Sequence, residues 1–391
     1  MDLELSDEQR LLKDSVNGLL NRRYPDVVKT RVAMMAESKG YSAAGWQEFA
    51  EQGLTAIPFA QEDGGLGQGP TEMILVGEAI GRTLALEPFY ATVVLGGGAL
   101  RHAGSPEQRQ RLVPEIAAGK LTLALAHQER QSRFDLFDVG VTAKADSSGG
   151  FTLEGEKCVV VNGDHADKLI VVARTAGDRR ARDGIGLFLV DGKAAGVSRR
   201  GYPTQDGGRA AEISLSSVKV AKADVLGDPA KGLPALERTV DEAIAYLGAE
   251  AVGAMEVLHE ATLDYVKTRK QFGVAIGSFQ VIQHRMVDIF TALEQSRSIV
   301  LYGTMMAGDD DARERRKAMH ALKVQIGRGG RHIGQDAVQL HGSIGMTTEY
   351  KASHYFKRLT MIDLAFGNAD HHLRELARAG GLIAATTTAA A

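Results

Sequence analysis

The hydrophobic period changes twice along this chain, and that change limits the folds open to it. From Met1 to about Gly119 apolar residues recur at helical spacing. Ser6, followed by Asp7 and Glu8, predicts a capped helix start whose stripe is Leu11, Leu12, Val16, Leu19 and Leu20. Past the glycine-rich loop "EDGGLGQGP", the runs "TEMILVGEAIGRTL" and "SPEQRQRLVPEIAAG" are again helical. The second opens with Ser105 as cap, Pro106 at the first helical position and Glu107 behind it. From about Lys120 to Asp224 the pattern shortens to "LTLALAH", "VTAKAD", "GFTLEGEKCVVVNG", "KLIVVART", "IGLFLVD" and "AEISLSSVKV". These β-branched or alternating runs, separated by Gly and Asp turns, predict a compact antiparallel β domain. From about Leu233 the helical period returns, with Leu247, Ala251, Ala254, Leu258, Ala261 and Tyr265 on one stripe. Two further long helices run through "SFQVIQHRMVDIFTALEQSRSIVLYGTMMAG" and "DARERRKAMHALKVQIGRGGRHIGQDAVQLHG". Helices of this length pack as a bundle. The expected fold is α+β multidomain, with an N-terminal helical domain over 1–119, a β-barrel-like domain over 120–226 and a C-terminal helical bundle over 227–391. The terminal "AATTTAAA" is low-complexity and expected to fray.

At 391 residues the chain is too long for one ordinary core. Its 44% hydrophobic and 24% charged residues are those of a soluble globular protein, and a net charge of −3 points to neither nucleic acid nor a membrane surface. No apolar run reaches the roughly 18 residues of a membrane span. The opening "MDLELSDEQRLLKDSV" is acidic and amphipathic, unlike a signal peptide. With the single cysteine, Cys158, it predicts a cytoplasmic chain without an internal disulfide. Cys158 lies in the apolar run "EKCVVVNG" and reads as a small buried hydrophobe.

The phrase "YVKTRKQFGVAIGSFQVIQHRMVDI" is the most informative. A long helix ends at Lys267–Arg269, "QFG" turns the chain, and Gly277–Ser278 reopens a helix led by Phe279 and Gln280. Arg269 thus sits at a helix C-terminus, where a cation is favoured and a guanidinium can fork onto a phosphate; the plainer reading is a capping arginine on a solvated face.

The whole phrase resembles the "R-K-x-F-G … F-Q" signature of acyl-CoA dehydrogenases, and "QLHGSIGMTTEY" (Gln339 to Tyr350) matches a second family phrase. "WQEFAEQGLTAIPFAQEDGGLG", "LEGEKCVVVNGDHAD" and "FLVD" extend the likeness over nearly the full length. "ALAHQERQSRFDL", "GYPTQDGGRAAE" and "KRLTMIDLAFGNADHHL" are most similar to the group of pimeloyl-CoA dehydrogenase small subunits. The resemblance implies the acyl-CoA dehydrogenase fold of helical domain, β domain and four-helix bundle, a tetramer, and FAD lying between subunits. It implies that Arg269 pairs with the FAD pyrophosphate and that Phe272 and Gln280 flank the adenosine half. Gln271 and Phe279 belong to the same cofactor-binding phrase, and Gln339 and Gly342 supply close contacts. Ser343 stands where the family usually has a second glycine.

The implied chemistry removes the α-proton of an acyl-CoA thioester with a carboxylate base while the β-hydrogen leaves as hydride to the flavin. The thioester oxygen must be polarised by hydrogen-bond donors. The family's base is the Glu of a "Y-E-G-T" phrase, which falls here on Ala365–Phe366–Gly367–Asn368, so that Phe366 replaces it. Phe366 and Gly367 are expected beside the thioester, where the backbone N–H of Phe366 can polarise it. An alternative base position on the first long bundle helix falls on Ala243. Its neighbours Asp241 and Glu242 are turned away by about 100° per residue and read as dipole-favoured N-terminal charges. Glu242 and Asp363 remain as weak substitute bases. In the β domain the family's "T-E-P" becomes Gln128–Glu129–Arg130, a nearby Ser falls on Phe134, and "W-I-T-N" becomes Val159–Val160–Val161–Asn162. The flavin's aromatic wall and hydroxyl are therefore missing, and the valines read as ordinary strand packing.

Asp370, His371 and His372 catch the eye, but consecutive helix positions cannot share a face, so they read as helix surface rather than metal ligands. "GDDDARERR" reads as a solvated loop without calcium spacing, and His320, His332 and His341 as dispersed. The losses fall on the base and the isoalloxazine cradle, whereas the residues that serve a neighbour's cofactor remain. The expectation is the non-base small subunit of a heterotetramer, sharing FAD with a homologous base-carrying partner and acting on an acyl-CoA; the resemblance extends to heteromeric members that act on dicarboxylic or steroid-derived thioesters, and a fatty acyl group stays equally open. The alternatives are a complete homomeric enzyme with a relocated base (Glu242 or Asp363) and a catalytically silent assembly subunit.

Overall fold

The N-terminal segment forms helices α1 (Asp7–Arg23), α2 (Val27–Met35), α3 (Ala43–Glu51), α4 (Pro70–Thr83), α5 (Gly97–Ala103) and α6 (Pro106–Ala117) in the computed structural model, which describes residues 5–381. The expectation of a frayed "AATTTAAA" lies outside the described residues. Ser6 and Ser105 both close capping boxes, each accepting from the backbone N–H three residues on (Gln9 and Gln108), whose side chains accept in return. Such caps stabilise a helix start by about 1 kcal/mol. Leu11 departs from the expected stripe: it is 69% exposed, while Val16, Leu19 and Leu20 are buried. At about 100° per residue it lies about 140° around the helix from Val16.

The middle of the chain makes strands β1 (Leu123–Ala126), β2 (Thr142–Ala145), β3 (Phe151–Val161), β4 (Lys168–Arg174), β5 (Ile185–Asp191), β6 (Val197–Pro203), β7 (Arg209–Val220) and β8 (Val225–Leu226). They form one sheet in the order β6-β7-β3-β2-β4-β5-β8, with β1 on β4. The pairings β3–β7, β6–β7, β2–β3 and β4–β5 are antiparallel. The expected antiparallel domain departs from that pattern on β4, where β2 meets it in one parallel pair, Thr142↔Arg174, and β1 runs parallel from Leu123↔Lys168 to Ala126↔Val171. A parallel pair needs a long crossover, and the β2–β3 hairpin between them supplies it. The sheet's core is the set Leu153, Val171, Phe188, Ile213 and Val218 with their neighbours.

By its contacts the chain makes two compact units. One is Arg31–Met73 with Leu86–Ala243, and the other takes the residues up to Thr30, Ile74–Ala85 and everything from Ile244 onward. Helix α7 (Leu233–Thr268) begins in the former and continues into the latter. In the latter, α4 crosses α7 at glycines. A Cβ on Gly81 would sit 1.9 Å from the Glu250 carbonyl oxygen, and one on Gly253 2.1 Å from that of Glu78. The α7 stripe Leu247, Ala251, Ala254, Leu258 and Ala261 is buried, and Tyr265 half-buried. A two-strand turn, β9 (Lys270–Gln271) and β10 (Val274–Ala275), leads to α8 (Gln280–Ala307), α9 (Ala312–His341), α10 (Lys351–Leu364) and α11 (Ala369–Arg378), the last a fifth helix beside the four expected.

Candidate functional site

The turn after α7 is held from the backbone and presents its side chains outward. The Arg269 N–H donates to the Tyr265 carbonyl at 2.8 Å, and β9 pairs antiparallel with β10 across Phe272–Gly273. Phe272 has φ 52° and Gly273 φ 82°, two left-handed residues in succession, as a tight hairpin turn demands. The Phe272 ring is 92% exposed and meets Phe279 edge-on at 6.3 Å. The Arg269 side chain makes no hydrogen bond or ion pair among the described residues. Gln280 opens α8, whose N-cap Phe279 offers no side-chain bond to the first turn. Gln271 is exposed, and its amide folds back on the Lys270 carbonyl at 2.9 Å.

Gln339, Gly342 and Ser343 lie at the far end of α9 and are all exposed. Gly342 has φ 66° with no atom within 4 Å of a would-be Cβ, so its backbone is open to close approach. This end is packed onto the end of α7 through His341, whose ring lies 4.5 Å from Tyr265 and 4.8 Å from Tyr350. The two sequence phrases are thus brought together by a Tyr–His–Tyr stack that nothing in their spacing announced.

Phe366 and Gly367 lie between α10 and α11 with φ 58° and 120°. The carboxylates near the alternative base positions are committed to structure. Glu242 binds Arg101 at 2.5 Å and His102 at 2.8 Å. Burial pushes its carboxyl up, but the hydrogen bond from His102 and the charge of Arg101 outweigh this and hold it down to about 2. Asp363 accepts from the Ala369 N–H at 3.0 Å through one oxygen and from Arg331 at 3.2 Å through the other. Asp241 and Glu242 are not N-terminal charges. Because α7 starts at Leu233, they lie in its third turn, and Asp241 is fully buried, as is Ala243.

In the β domain Glu129 is buried and accepts from Lys157 at 2.6 Å, from the Gly140 N–H at 2.8 Å and from the Val141 N–H at 3.1 Å. Burial opposes the charge of Glu129, but Lys157 outweighs it and holds the carboxyl below its usual range. Beyond Lys157 the ladder slips at a bulge before Val160. Val159 there has φ 52°, a strained conformation for a β-branched residue that costs about 1–3 kcal/mol. The three valines are not ordinary strand packing: Val160 is buried, but Val159 is 38% and Val161 37% exposed, because the bulge turns their methyl groups outward. Arg130 is exposed and pairs with Glu212 at 3.1 Å. Cys158 is buried and free, and burial pushes its thiol up, away from the reactive thiolate.

Family models match almost the whole chain: acyl-CoA dehydrogenase N-terminal domain over residues 6–120, middle domain over 124–219 and C-terminal domain over 230–381. The chain belongs to the acyl-CoA dehydrogenase family. It is similar to the probable acyl-CoA dehydrogenase YngJ of Bacillus subtilis (strain 168), 28% identical over 97% of this chain and 99% of that one. Among solved structures, a variant of the Tcur3481-Tcur3483 steroid ACAD is 29% identical with a TM-score of 0.83, covering 95% of this chain and 98% of that one. The ChsE4-ChsE5 complex from Mycobacterium tuberculosis shares the fold, with 24% identity and a TM-score of 0.86, covering 97% and 98%. Acyl-CoA dehydrogenases are FAD-dependent oxidoreductases.

The histidines depart from expectation. Asp370 is exposed as foreseen, but His372 is buried, and its Nδ1 lies 2.8 Å from Nδ1 of His320. Helix α11 is short and packs on α9, so the two residues, about 200° apart around it, face opposite ways. Burial drives His372 down to about 2 and His320 to about 4, so both are neutral. No group of metal-ligating residues occurs among the described residues, and no described helix is long and apolar enough to cross a membrane.

Proposed function

We propose that this acyl-CoA dehydrogenase is the non-base subunit of a heterotetramer, of the pimeloyl-CoA dehydrogenase small-subunit kind. Together with a homologous base-carrying partner it introduces an α,β double bond into a dicarboxylic or steroid-derived acyl-CoA in the cytoplasm. The observation that carries this reading is an asymmetry. The residues suited to a neighbour's cofactor, Arg269, Phe272, Gln280 and Gln339, are exposed and make no ion pair among the described residues, whereas the base position is Phe366 and the substitute carboxylates Glu242 and Asp363 are tied into ion pairs. The fold relatives that are complexes of two named proteins agree with it.

The residues present fit one end of FAD and not the other. The open backbone at Gly342, the free Arg269 guanidinium and the exposed Phe272 ring suit a pyrophosphate and an adenosine half. The exposed methyl groups of Val159 and Val161 offer no hydroxyl to an isoalloxazine. FAD, when bound, supplies the hydride acceptor. This chain's part would be to bind and orient: Arg269 would neutralise pyrophosphate charge, Phe272 and Gln280 would flank the adenosine half beside Gln271 and Phe279, Gln339 and Gly342 would supply close contacts next to Ser343, and the Phe366–Gly367 backbone would face the thioester.

The test is to purify the chain alone and co-expressed with a base-containing homologue, then to measure flavin absorbance per subunit and its bleaching by acyl-CoA. The expected result is flavin and bleaching only for the pair. Full flavin and bleaching for the chain alone would favour a homomeric enzyme, and a flavin-free pair a silent assembly subunit.

A further inference from the structure

Lys323 is a charged residue in the wrong place for solvent. It lies on the apolar stripe of α9 between Met319, Leu322 and Ile326, and it is 1% exposed. Its Nζ donates to the carbonyl oxygens of Ile362 at 2.5 Å and Asp363 at 3.0 Å. Both belong to the last turn of α10, whose carbonyls have no partner further along the helix. An ammonium is thereby placed at the negative end of the helix dipole, its favoured position. Burial drives Lys323 down to about 7, and only the Asp363 carboxylate opposes this. A lysine that has given up its water for two backbone carbonyls is a fixed point in the bundle.

The next turn of α9 continues the contact. Gly327 lies one turn beyond Lys323, and a Cβ there would stand 2.1 Å from Asp363 Oδ1 and 3.0 Å from Ala369 Cβ. That missing side chain lets the Asp363 carboxylate reach the first N–H of α11 at 3.0 Å, while Arg331, another turn on, holds its second oxygen at 3.2 Å. Lys323, Gly327 and Arg331 thus form a row on one face of α9 that holds both ends of the segment Leu364–Asn368. Phe366 and Gly367, in left-handed conformations, sit in the middle of that segment.

We infer that Lys323 is a positioning residue: from inside α9 it fixes the last turn of α10, and through it the Phe366–Gly367 backbone that faces the thioester. The inference rests on the proposed placing of that backbone at the substrate, and it concerns a residue that touches neither substrate nor cofactor. Without the ammonium the last carbonyls of α10 lose their donors, and the segment between the two helices is held at one end only.

The test uses Lys323→Met, which keeps the length of the side chain and removes both donors, in the co-expressed heteromeric enzyme. Two readouts are taken: hydrogen exchange of the amides of Ala365 to Asn368, and KM for acyl-CoA against flavin content and assembly mass. The expected result is faster exchange in that segment and KM raised about ten- to a hundredfold, with flavin per complex and mass unchanged. Gly327→Ala, which pushes on Asp363 and leaves the ammonium in place, is expected to speed exchange in the same segment. Wild-type exchange in Lys323→Met would overturn the inference. Faster exchange with an unchanged KM would overturn the placing of Phe366–Gly367 at the thioester and leave the hold of Lys323 on the segment intact. Loss of flavin and mass without a change in the KM of the remaining enzyme would mark a purely structural lysine and also overturn it.

Discussion

Two Phe–Gly dipeptides in this chain have nearly the same left-handed backbone and opposite surroundings. Phe272–Gly273 has φ 52° and 82°; Phe366–Gly367 has φ 58° and 120°. Around Gly273 a Cβ would meet nothing within 4 Å, whereas at Gly367 it would lie 2.4 Å from the His371 ring and 3.0 Å from that of His372. The first turn is held by local backbone bonds, its short ladder and the Arg269 N–H on the Tyr265 carbonyl, and carries an exposed aromatic ring. The second is fastened by Lys323, Asp363 and Arg331. Backbone strain alone therefore does not tell what a turn is for. The neighbours differ: one turn is packed against its own chain, and the other leaves its aromatic ring and its glycine open.

The largest expected effect separates the two glycines. Gly367→Ala is expected to destabilise the protein by about 3 kcal/mol, since it combines positive φ with a collision. Gly273→Ala meets open space and is expected to cost about 1 kcal/mol. Denaturant midpoints of the two variants check this, and equal losses would erase the contrast. Next, taken per pH unit, is a pH effect that belongs to the fastened turn. Burial first, then the charges of Lys323, His320 and His371, hold His372 down to about 2, with the Phe366 carbonyl opposing. Its folded value lies below its unfolded one, so between about pH 6.5 and 2 the unfolded chain binds the extra proton. Stability therefore falls as pH drops from about 6.5, by at most about 1.4 kcal/mol per pH unit from this group. His372→Gln is expected to flatten that slope in denaturation curves taken across the range, and an unchanged slope would show that His372 does not set it. The smallest effects on stability belong to the open turn. Arg269→Ala and Phe272→Ala are expected to leave the unfolding midpoint within about 0.5 kcal/mol of wild type. The co-expressed complex should nonetheless retain flavin about tenfold less tightly. Unchanged retention on dilution would remove the main difference between the two turns.

Much of this was legible beforehand. The helix–sheet–helix order follows from the change of period, and the Arg269 turn from a helix end, a glycine and a restart. Three features were hidden for identifiable reasons. The strand β6, "VSRRGYP", is a charged edge strand ending in Pro203, so it carries no apolar signal. The parallel β1–β4 pair joins residues far apart in the chain, which local pattern cannot see. The burial of His372 depends on how α11 packs on α9. Lys323 did leave a trace, because it is a charge amid the apolar stripe of α9. Asp363, considered as a base, turned out to hold the start of the next helix.

The glycine crossing of α4 and α7 has a consequence for how the chain comes to be folded at all. Gly81 and Gly253 let two segments far apart in the sequence touch backbone to backbone. The unit built from Arg31–Met73 and Leu86–Ala243 has all its parts once Ala243 has left the ribosome. Helices α1 and α4 are synthesised early, but their remaining partners come only from Ile244 onward. Domains fold as units during synthesis and closing a long loop is slow. The face that α4 turns to α7 therefore has no partner until α7 is made, after all parts of the other unit have left the ribosome.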